Sequence, residues 1–308
     1  MTDGTVRVRV PASSGNLGPG FDVLGLALAL HNLFEGAPAR ELSFEATGSE
    51  ASALVAGPAE ENMVWKAIRA AYAHRGVEAP PFELRVECRI PPSRGLGSSA
   101  SAVLGGLLIA SRFLTPELSA EEVLELATRL EGHPDNVAAA LLGGVTAAAQ
   151  APDGRVLTGR LRLPRSMRVA AVVPTAQLST SAARKVLPES YSRADAVHNL
   201  ARVAVLAARL ARGEAGDLWE LLDDRFHQPY RAPLVPGLVE LLREAREAGA
   251  SGGFLSGAGP TVLVLVEQDR QDAVAERLGR VARQFDAEPR ILRLGIEAGG
   301  ARYTRSRR

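Results

Sequence analysis

Apolar Val6, Val8 and Val10 alternate with Arg7 and Arg9. This is the period of two expected of a half-buried strand, which Pro11 is expected to end. A loop rich in Ser, Gly, Asn and Pro follows over 12–22, then an apolar, strand-like run over 23–30. At 63–74 the period lengthens: Trp65, Ile68 and Tyr72 share one face of a helix that Gly76 stops. Alternation returns at 83–90, where Cys88 falls in step with Leu84, Val86 and Ile90 and reads as a small buried hydrophobe. A loop over 91–97 opens an apolar helix over 98–113. Ser119 and Glu122 form a capping-box pattern for a helix over 120–130. Gly132-His133-Pro134-Asp135-Asn136 breaks that helix before a short small-residue helix over 137–142.

The first half therefore mixes strands and helices without strict βαβ alternation, which predicts an α+β class. Pro152-Asp153-Gly154 reads as a turn in a boundary zone, giving domains 1–153 and 154–308. The second half predicts strands at 169–173, 263–266 and 291–294, with helices at 194–212, 238–248 and 272–285, a second α+β sandwich. There are no repeats and no low-complexity tract.

Composition narrows the function classes. With 46% hydrophobic residues in a chain of 308, a sizeable core is available. The net charge of +1 gives no reason to expect a nucleic-acid or membrane-surface partner. Arg305, Arg307 and Arg308 read as a solvated tail. One cysteine forbids an intrachain disulfide and fits a reducing compartment. The start Met1-Thr2-Asp3-Gly4 lacks a signal-peptide pattern, and no run reads as a membrane span, so the expected location is the cytoplasm. A homodimer is left open.

The densest chemical signal is Pro91-Pro92-Ser93-Arg94-Gly95-Leu96-Gly97-Ser98-Ser99-Ala100-Ser101, after a strand and at the start of a helix. Glycines let backbone approach a ligand, and free amides at a helix N-terminus bind phosphate. The loop lacks the Lys-Ser/Thr end of a Walker A loop and the third glycine of a dinucleotide fingerprint. A plain glycine-rich strand-to-helix turn fits the same residues. A side chain at Gly97 is expected to fill the phosphate's space and to leave the fold largely intact.

This loop resembles that of the GHMP kinases, Pro-x-x-x-Gly-Leu-Gly-Ser-Ser-Ala, over residues 91–100. Two further motifs of that family stand in order along nearly the whole chain: Pro11-Ala12-Ser13-Ser14-Gly15-Asn16-Leu17-Gly18-Pro19-Gly20-Phe21-Asp22, and Ser256-Gly257-Ala258-Gly259-Pro260-Thr261. The resemblance implies a two-domain α+β architecture, the N-terminal domain like ribosomal protein S5 and the C-terminal one a ferredoxin-like sandwich. It also implies ATP and Mg²⁺ as cofactors. By position, Ser99 and Glu131 would hold the metal, with Glu125 as the other alignment for the glutamate.

Among the family's branches, the first motif and His133-Pro134-Asp135-Asn136-Val137 resemble those that phosphorylate homoserine. Arg184, in a segment with Thr180, and Arg231 match two more positions. Homoserine is a zwitterion, and a selective site needs both charge signs. The resemblance gives Asp22, with Asn16 beside it, to the ammonium and Arg184 and Arg231 to the carboxylate, which arginine grips bidentately. His133, Asn136, Thr180, Gly257 and Gly259 complete the expected acceptor site, with Asn136 also beside the chemistry. Simpler roles fit the same residues: Asp22 as a turn cap, the two arginines as surface residues, His133 at a helix C-terminus, Asn136 as an N-cap. Asn136 stands where some relatives carry a proton-accepting Asp, so the general base is open, and Asp135 reads as structural. A kinase for another small alcohol and an inactive binding protein of the same fold remain the alternatives.

Overall fold

The computed structural model describes residues 4–51 and 59–304. The first three residues and the arginine tail lie outside the described residues. Strand β1 (Val6–Gly15) pairs antiparallel with β2 (Leu24–Pro38). Contrary to the expectation, Pro11 does not end β1. The register shifts there, Pro11 facing His31 and Ala12 facing Leu28, so the missing N–H falls at a ladder irregularity. The strand thereby carries Ser13, Ser14 and Gly15 into the sheet.

β3 (Ser43–Thr47) lies parallel to β4 (Phe82–Glu87), and β4 pairs with β2. Helix α1 (Met63–His74) buries Trp65, Ile68 and Tyr72 as its period predicts, and the Asn62 side chain caps its start. α2 (Ser98–Ser111) is apolar on every side, and it is buried between the sheet and α1. α3 (Ala120–Glu131) carries the predicted Ser119/Glu122 capping box. α4 begins two residues before its expected start, at Asp135, and ends at Leu142; Asn136 is inside its first turn and not its N-cap.

β5 (Val145–Gln150) and β6 (Val156–Leu161) form a hairpin on the edge of this first sheet. The turn at 152–154 therefore closes a hairpin where the composition placed a domain boundary. The chain leaves the first sheet only after Leu161, and β11 (Arg302–Tyr303) returns to pair with β1. The second, antiparallel sheet has the order β10 (Arg290–Leu294), β7 (Met167–Val173), β9 (Val262–Glu267), β8 (Gly252–Leu255). Its helices are α5 (Thr180–Lys185), α6 (Arg193–Ala211), α7 (Gln228–Arg231), α8 (Leu238–Glu247) and α9 (Gln271–Ala282). Among the described residues no helix is long and apolar enough to cross a membrane.

Three cores hold these layers. One joins the first sheet to α1–α4 through Phe34, Ile68, Phe82 and Leu104, and another joins the second sheet to α8 and α9. The third is shared: Leu24, Leu26 and Leu28 of β2 meet Val169, Ala171 and Leu263 of the second sheet and Leu206 of α6. The two halves are thus fused by apolar burial, and the site lies along their seam.

Candidate active site

Three glycine-containing segments meet at that seam. The Ser13 N–H donates to Leu96 O (3.1 Å), and the Gly257 N–H to Gly15 O (3.2 Å). Ser256 Oγ donates to Gly95 O (2.6 Å), and Ser14 Oγ stands 2.7 Å from it. Contact this close requires glycine. A Cβ on Gly97 would lie 2.1 Å from Ser13 Oγ, and its φ of +68° is left-handed. The expectation that a side chain there leaves the fold intact is therefore corrected: it would push the first two segments apart.

The cleft above the seam has a volume of about 210 Å³. Gly95, Leu96, Gly97, Ser98 and Ser99 line one end. Gly97 is the N-cap of α2 and offers no side chain, so the first amides of the helix are open to an anion. Beside them Ser99 Oγ donates to Glu131 Oε1 (2.5 Å). Burial pushes the Glu131 carboxyl above its ordinary range, against the pull of the Ser99 hydroxyl. Glu125, the other candidate, does not line the cleft.

The other end carries both charge signs. Residues 16–18 run left-handed, with φ of 74°, 48° and 70°, and Leu17 anchors the turn in the shared core. Asn16 is buried; its Nδ2 donates to Gly257 O (2.9 Å) and its Oδ1 accepts from the Asp22 N–H (3.0 Å). Asp22 caps no turn. Its carboxylate takes two bonds from Arg184, at 3.0 and 2.6 Å, with side-chain exposures of 38% for the arginine and 32% for the aspartate. Arg184 comes from α5, which also brings Thr180 to the cleft.

Arg231 is 1% exposed and lies in the fold's interior, not on its surface. Its Nε donates to Ala183 O (3.0 Å) and its Nη1 to Gly257 O (3.0 Å). Burial, then repulsion from Arg184, lowers its pKa to about 10, which leaves it a cation at neutral pH. The Phe21 ring lies 5.2 Å from the Arg184 guanidinium and 5.4 Å from that of Arg231, a π face shared by two cations.

Between the two ends, His133 Nδ1 donates to Asp135 Oδ1 (2.7 Å), which also accepts the Asn136 N–H (2.8 Å). Gly132, not His133, caps the preceding helix. Burial disfavours the His133 cation, but the Asp135 carboxylate outweighs it and raises the pKa. Asn136 Oδ1 accepts from Ser13 Oγ (3.1 Å). Asp22, His133 and Asp135 can bring one ligand atom each within 4.8 Å of one another.

The cleft thus gathers Asn16, Asp22, Ser93, residues 95–99, Glu131, His133, Asn136, Thr180, Arg184, Arg231 and Gly257. Pro91, Pro92, Arg94, Ala100, Ser101 and Gly259 do not line it. Arg94 instead ties the loop to the end of β7, donating to Pro174 O (2.9 Å) and Thr175 O (2.7 Å). Phe21, Asp135, Leu178, Ser179 and Ala258 also line it, although the sequence gives none of them a site role and Asp135 only a structural one. Of these, Phe21 was legible as the apolar neighbour of Asp22 inside a polar loop.

The family model for the GHMP kinases' N-terminal domain matches residues 62–144, and that for their C-terminal domain matches 183–284. The chain belongs to the GHMP kinase family. Among its relatives, the homoserine kinase of Desulfitobacterium hafniense is 42% identical over 297 residues, covering 96% of this chain and 99% of that protein. The homoserine kinase of Deinococcus radiodurans is 43% identical over 294 residues, 95% of each. The crystal structure of homoserine kinase from Cytophaga hutchinsonii has the same fold, with a TM-score of 0.87 at 23% identity over 99% of this chain and 98% of that one. Mevalonate diphosphate decarboxylase from Staphylococcus aureus shares it too, with a TM-score of 0.72 at 17% identity over 98% of each chain.

Proposed function

We propose that the chain is a homoserine kinase, transferring the γ-phosphoryl group of ATP to the side-chain hydroxyl of L-homoserine. The product is O-phospho-L-homoserine, an intermediate of threonine biosynthesis. The observation that carries this reading is the pairing, in one cleft, of an amide-rich helix N-terminus with an acceptor end that holds Asp22 beside Arg184 and Arg231. The first end suits polyphosphate; the second suits a zwitterion. The full-length likeness to homoserine kinases at 42% identity supports the same choice.

In this reading the glycine loop and the first turn of α2 hold the phosphates. Asp22, positioned by Asn16, takes the acceptor's ammonium. Arg184 and Arg231 take its carboxylate, and Thr180, Gly257 and His133 shape the space between. Asn136 orients the attacking hydroxyl but, as an amide, cannot take its proton, which leaves to phosphate oxygen or to water. Catalysis then rests on positioning and on charge stabilisation.

Mg²⁺ belongs to this reading. Ser99 Oγ and Glu131 Oε1 are hard oxygens side by side at the phosphate end, and the half-buried carboxylate is one that a cation would favour. Bound there, the ion would neutralise charge on the β- and γ-phosphates.

The test is an ATP-consumption screen of the purified chain over homoserine, serine, threonine, shikimate and mevalonate. Homoserine should be turned over far faster than the rest. Comparable turnover of mevalonate or shikimate, or none of homoserine, would refute the reading.

A further inference from the structure

Arg231 is held so that a single nitrogen is left over. Its Nε–H is committed to Ala183 O, and the two Nη1 protons to Gly257 O and to His227 Nδ1, the latter at 3.1 Å. Nη2 meets no acceptor among the described residues, and Arg231 lines the cleft. The guanidinium is therefore a fork with three protons fixed by protein and two left over for a ligand.

We infer that His227 is a positioning residue for the acceptor's carboxylate: as a neutral ring protonated at Nε2, it fixes the Arg231 guanidinium in the orientation that presents Nη2 to the cleft. The inference rests on the homoserine kinase reading and adds to it a residue that does not line the cleft.

The tautomer follows from both ring nitrogens. Nε2 lies 2.9 Å from Gly18 O, and a carbonyl only accepts, so Nε2 carries the proton. Nδ1 faces a guanidinium, which only donates, so Nδ1 carries the lone pair. An imidazolium would set N–H against N–H beside a buried cation. Burial, and next to it the opposed pulls of Asp224 and Arg231, lowers the pKa of this ring. Asp224 Oδ2 stands 3.5 Å from Nε2, farther than the carbonyl, and is occupied elsewhere.

The frame around His227 is built to the same end. Asp224 accepts the backbone N–H groups of Phe226 (2.9 Å), His227 (2.9 Å) and Gln228 (2.7 Å), and Nδ2 of Asn199 (2.7 Å). Asn199 Nδ2 also reaches Pro19 O (3.1 Å). His227 is thus locked to the first glycine segment through Gly18 and Pro19, and to the third through Arg231 and Gly257. The Phe21 ring, 5.5 Å from the imidazole, closes the remaining side.

Two measurements on the full chain test this. In ¹⁵N-histidine NMR at neutral pH, with the resonance assigned by its loss in His227→Asn, Nε2 should be protonated and Nδ1 bare. A proton on Nδ1 overturns the inference whether or not His227→Leu folds. In steady-state kinetics, His227→Leu leaves an Nη1 proton unpaired and frees the guanidinium to turn. The KM for homoserine should rise roughly 10- to 100-fold, while the KM for ATP stays within about threefold. His227→Asn, whose Oδ1 accepts in place of Nδ1, should recover most of the loss. An equal rise in both KM values, an unchanged homoserine KM in His227→Leu, or an asparagine variant as impaired as the leucine one would each overturn it. A wild-type chain that turns over homoserine while His227→Leu is unaffected refutes only the role of His227. A wild-type chain inert toward homoserine refutes the parent reading, and the tautomer measurement still decides the ring's arrangement.

Discussion

Replacing Asp22 by asparagine keeps the shape of the acceptor end and removes one negative charge. In the cleft that charge is bound to Arg184 through two bonds of 3.0 and 2.6 Å. Homoserine must exchange this internal pair for two external ones, its ammonium on Asp22 and its carboxylate on the arginines. A hydrogen bond to a charged group contributes about 1.5–3 kcal/mol, and a carboxylate one-third exposed falls in the lower part of that range. A loss of about 1.5–2.5 kcal/mol is roughly a 10- to 60-fold drop in kcat/KM for homoserine. For 4-hydroxybutyrate, which lacks the amine, the sign reverses. The wild type must break the Asp22–Arg184 pair and leave Asp22 stranded, whereas the variant presents Arg184 already free, so its kcat/KM should hold steady or rise. The assay is steady-state phosphorylation of both acceptors at saturating ATP, with the ATP KM as control. An equal fall for both acceptors would remove Asp22 from amine recognition and leave two arginines that any hydroxy acid could use.

Glu131→Gln should cut kcat by roughly 100-fold and raise the Mg²⁺ requirement, while Glu125→Gln stays near wild type; the reverse ranking in Mg²⁺-titrated rates would move the metal assignment to Glu125. Gly97→Ala should weaken ATP binding and also lower stability by at least about 1–2 kcal/mol, because the left-handed backbone and Ser13 both oppose a Cβ; a denaturant midpoint equal to wild type would contradict that packing. Glu122 is held well below the usual carboxylate range, first by its bonds to Arg75 and then by the Ser119 N–H. A depressed carboxyl stabilises the fold above its unfolded pKa of about 4.3 and loses that contribution as pH falls through and below it, so the stability gap between wild type and Glu122→Gln should narrow from pH 7 toward pH 3. A gap that does not change with pH would assign the effect to packing.

Elements with strong local signals were legible in the sequence. The 3.6 period of Trp65, Ile68 and Tyr72 and the Ser119/Glu122 box mark α1 and α3 to within a residue. β1 was cut short because proline argues against a strand, and the register shift that absorbs Pro11 is a property of its partner, β2. The β5–β6 hairpin hid in small residues with little strand propensity, so its turn read as a boundary. At the site, motif order pointed to the residues that line the cleft, but not to their partners. Nothing local marks Asn199, Asp224 and His227 as a run of contacts behind Arg231, in which Asn199 binds Asp224, Asp224 holds the His227 backbone and His227 meets the guanidinium. Likewise, nothing local to Asp22 or Arg184 reveals that they neutralise each other.

The seam of three glycine segments makes the cleft a late product of synthesis. Ser13 and Leu96 can meet while the chain is still being made, but the floor supplied by Ser256 and Gly257 exists only when residue 257 of 308 has left the ribosome and the second sheet has formed. A nascent chain that has made only β1–β6 should therefore hold no finished nucleotide pocket, and a fragment ending before β8 should be inert whatever its own fold. The same joinery makes a bound nucleotide a clamp across both halves. At a hundred times its Kd it adds about 2.7 kcal/mol to the unfolding free energy of whatever unit it bridges, and that unit is the whole chain. Heating with saturating nucleotide should move one cooperative transition upward, not separate an early half from a late one.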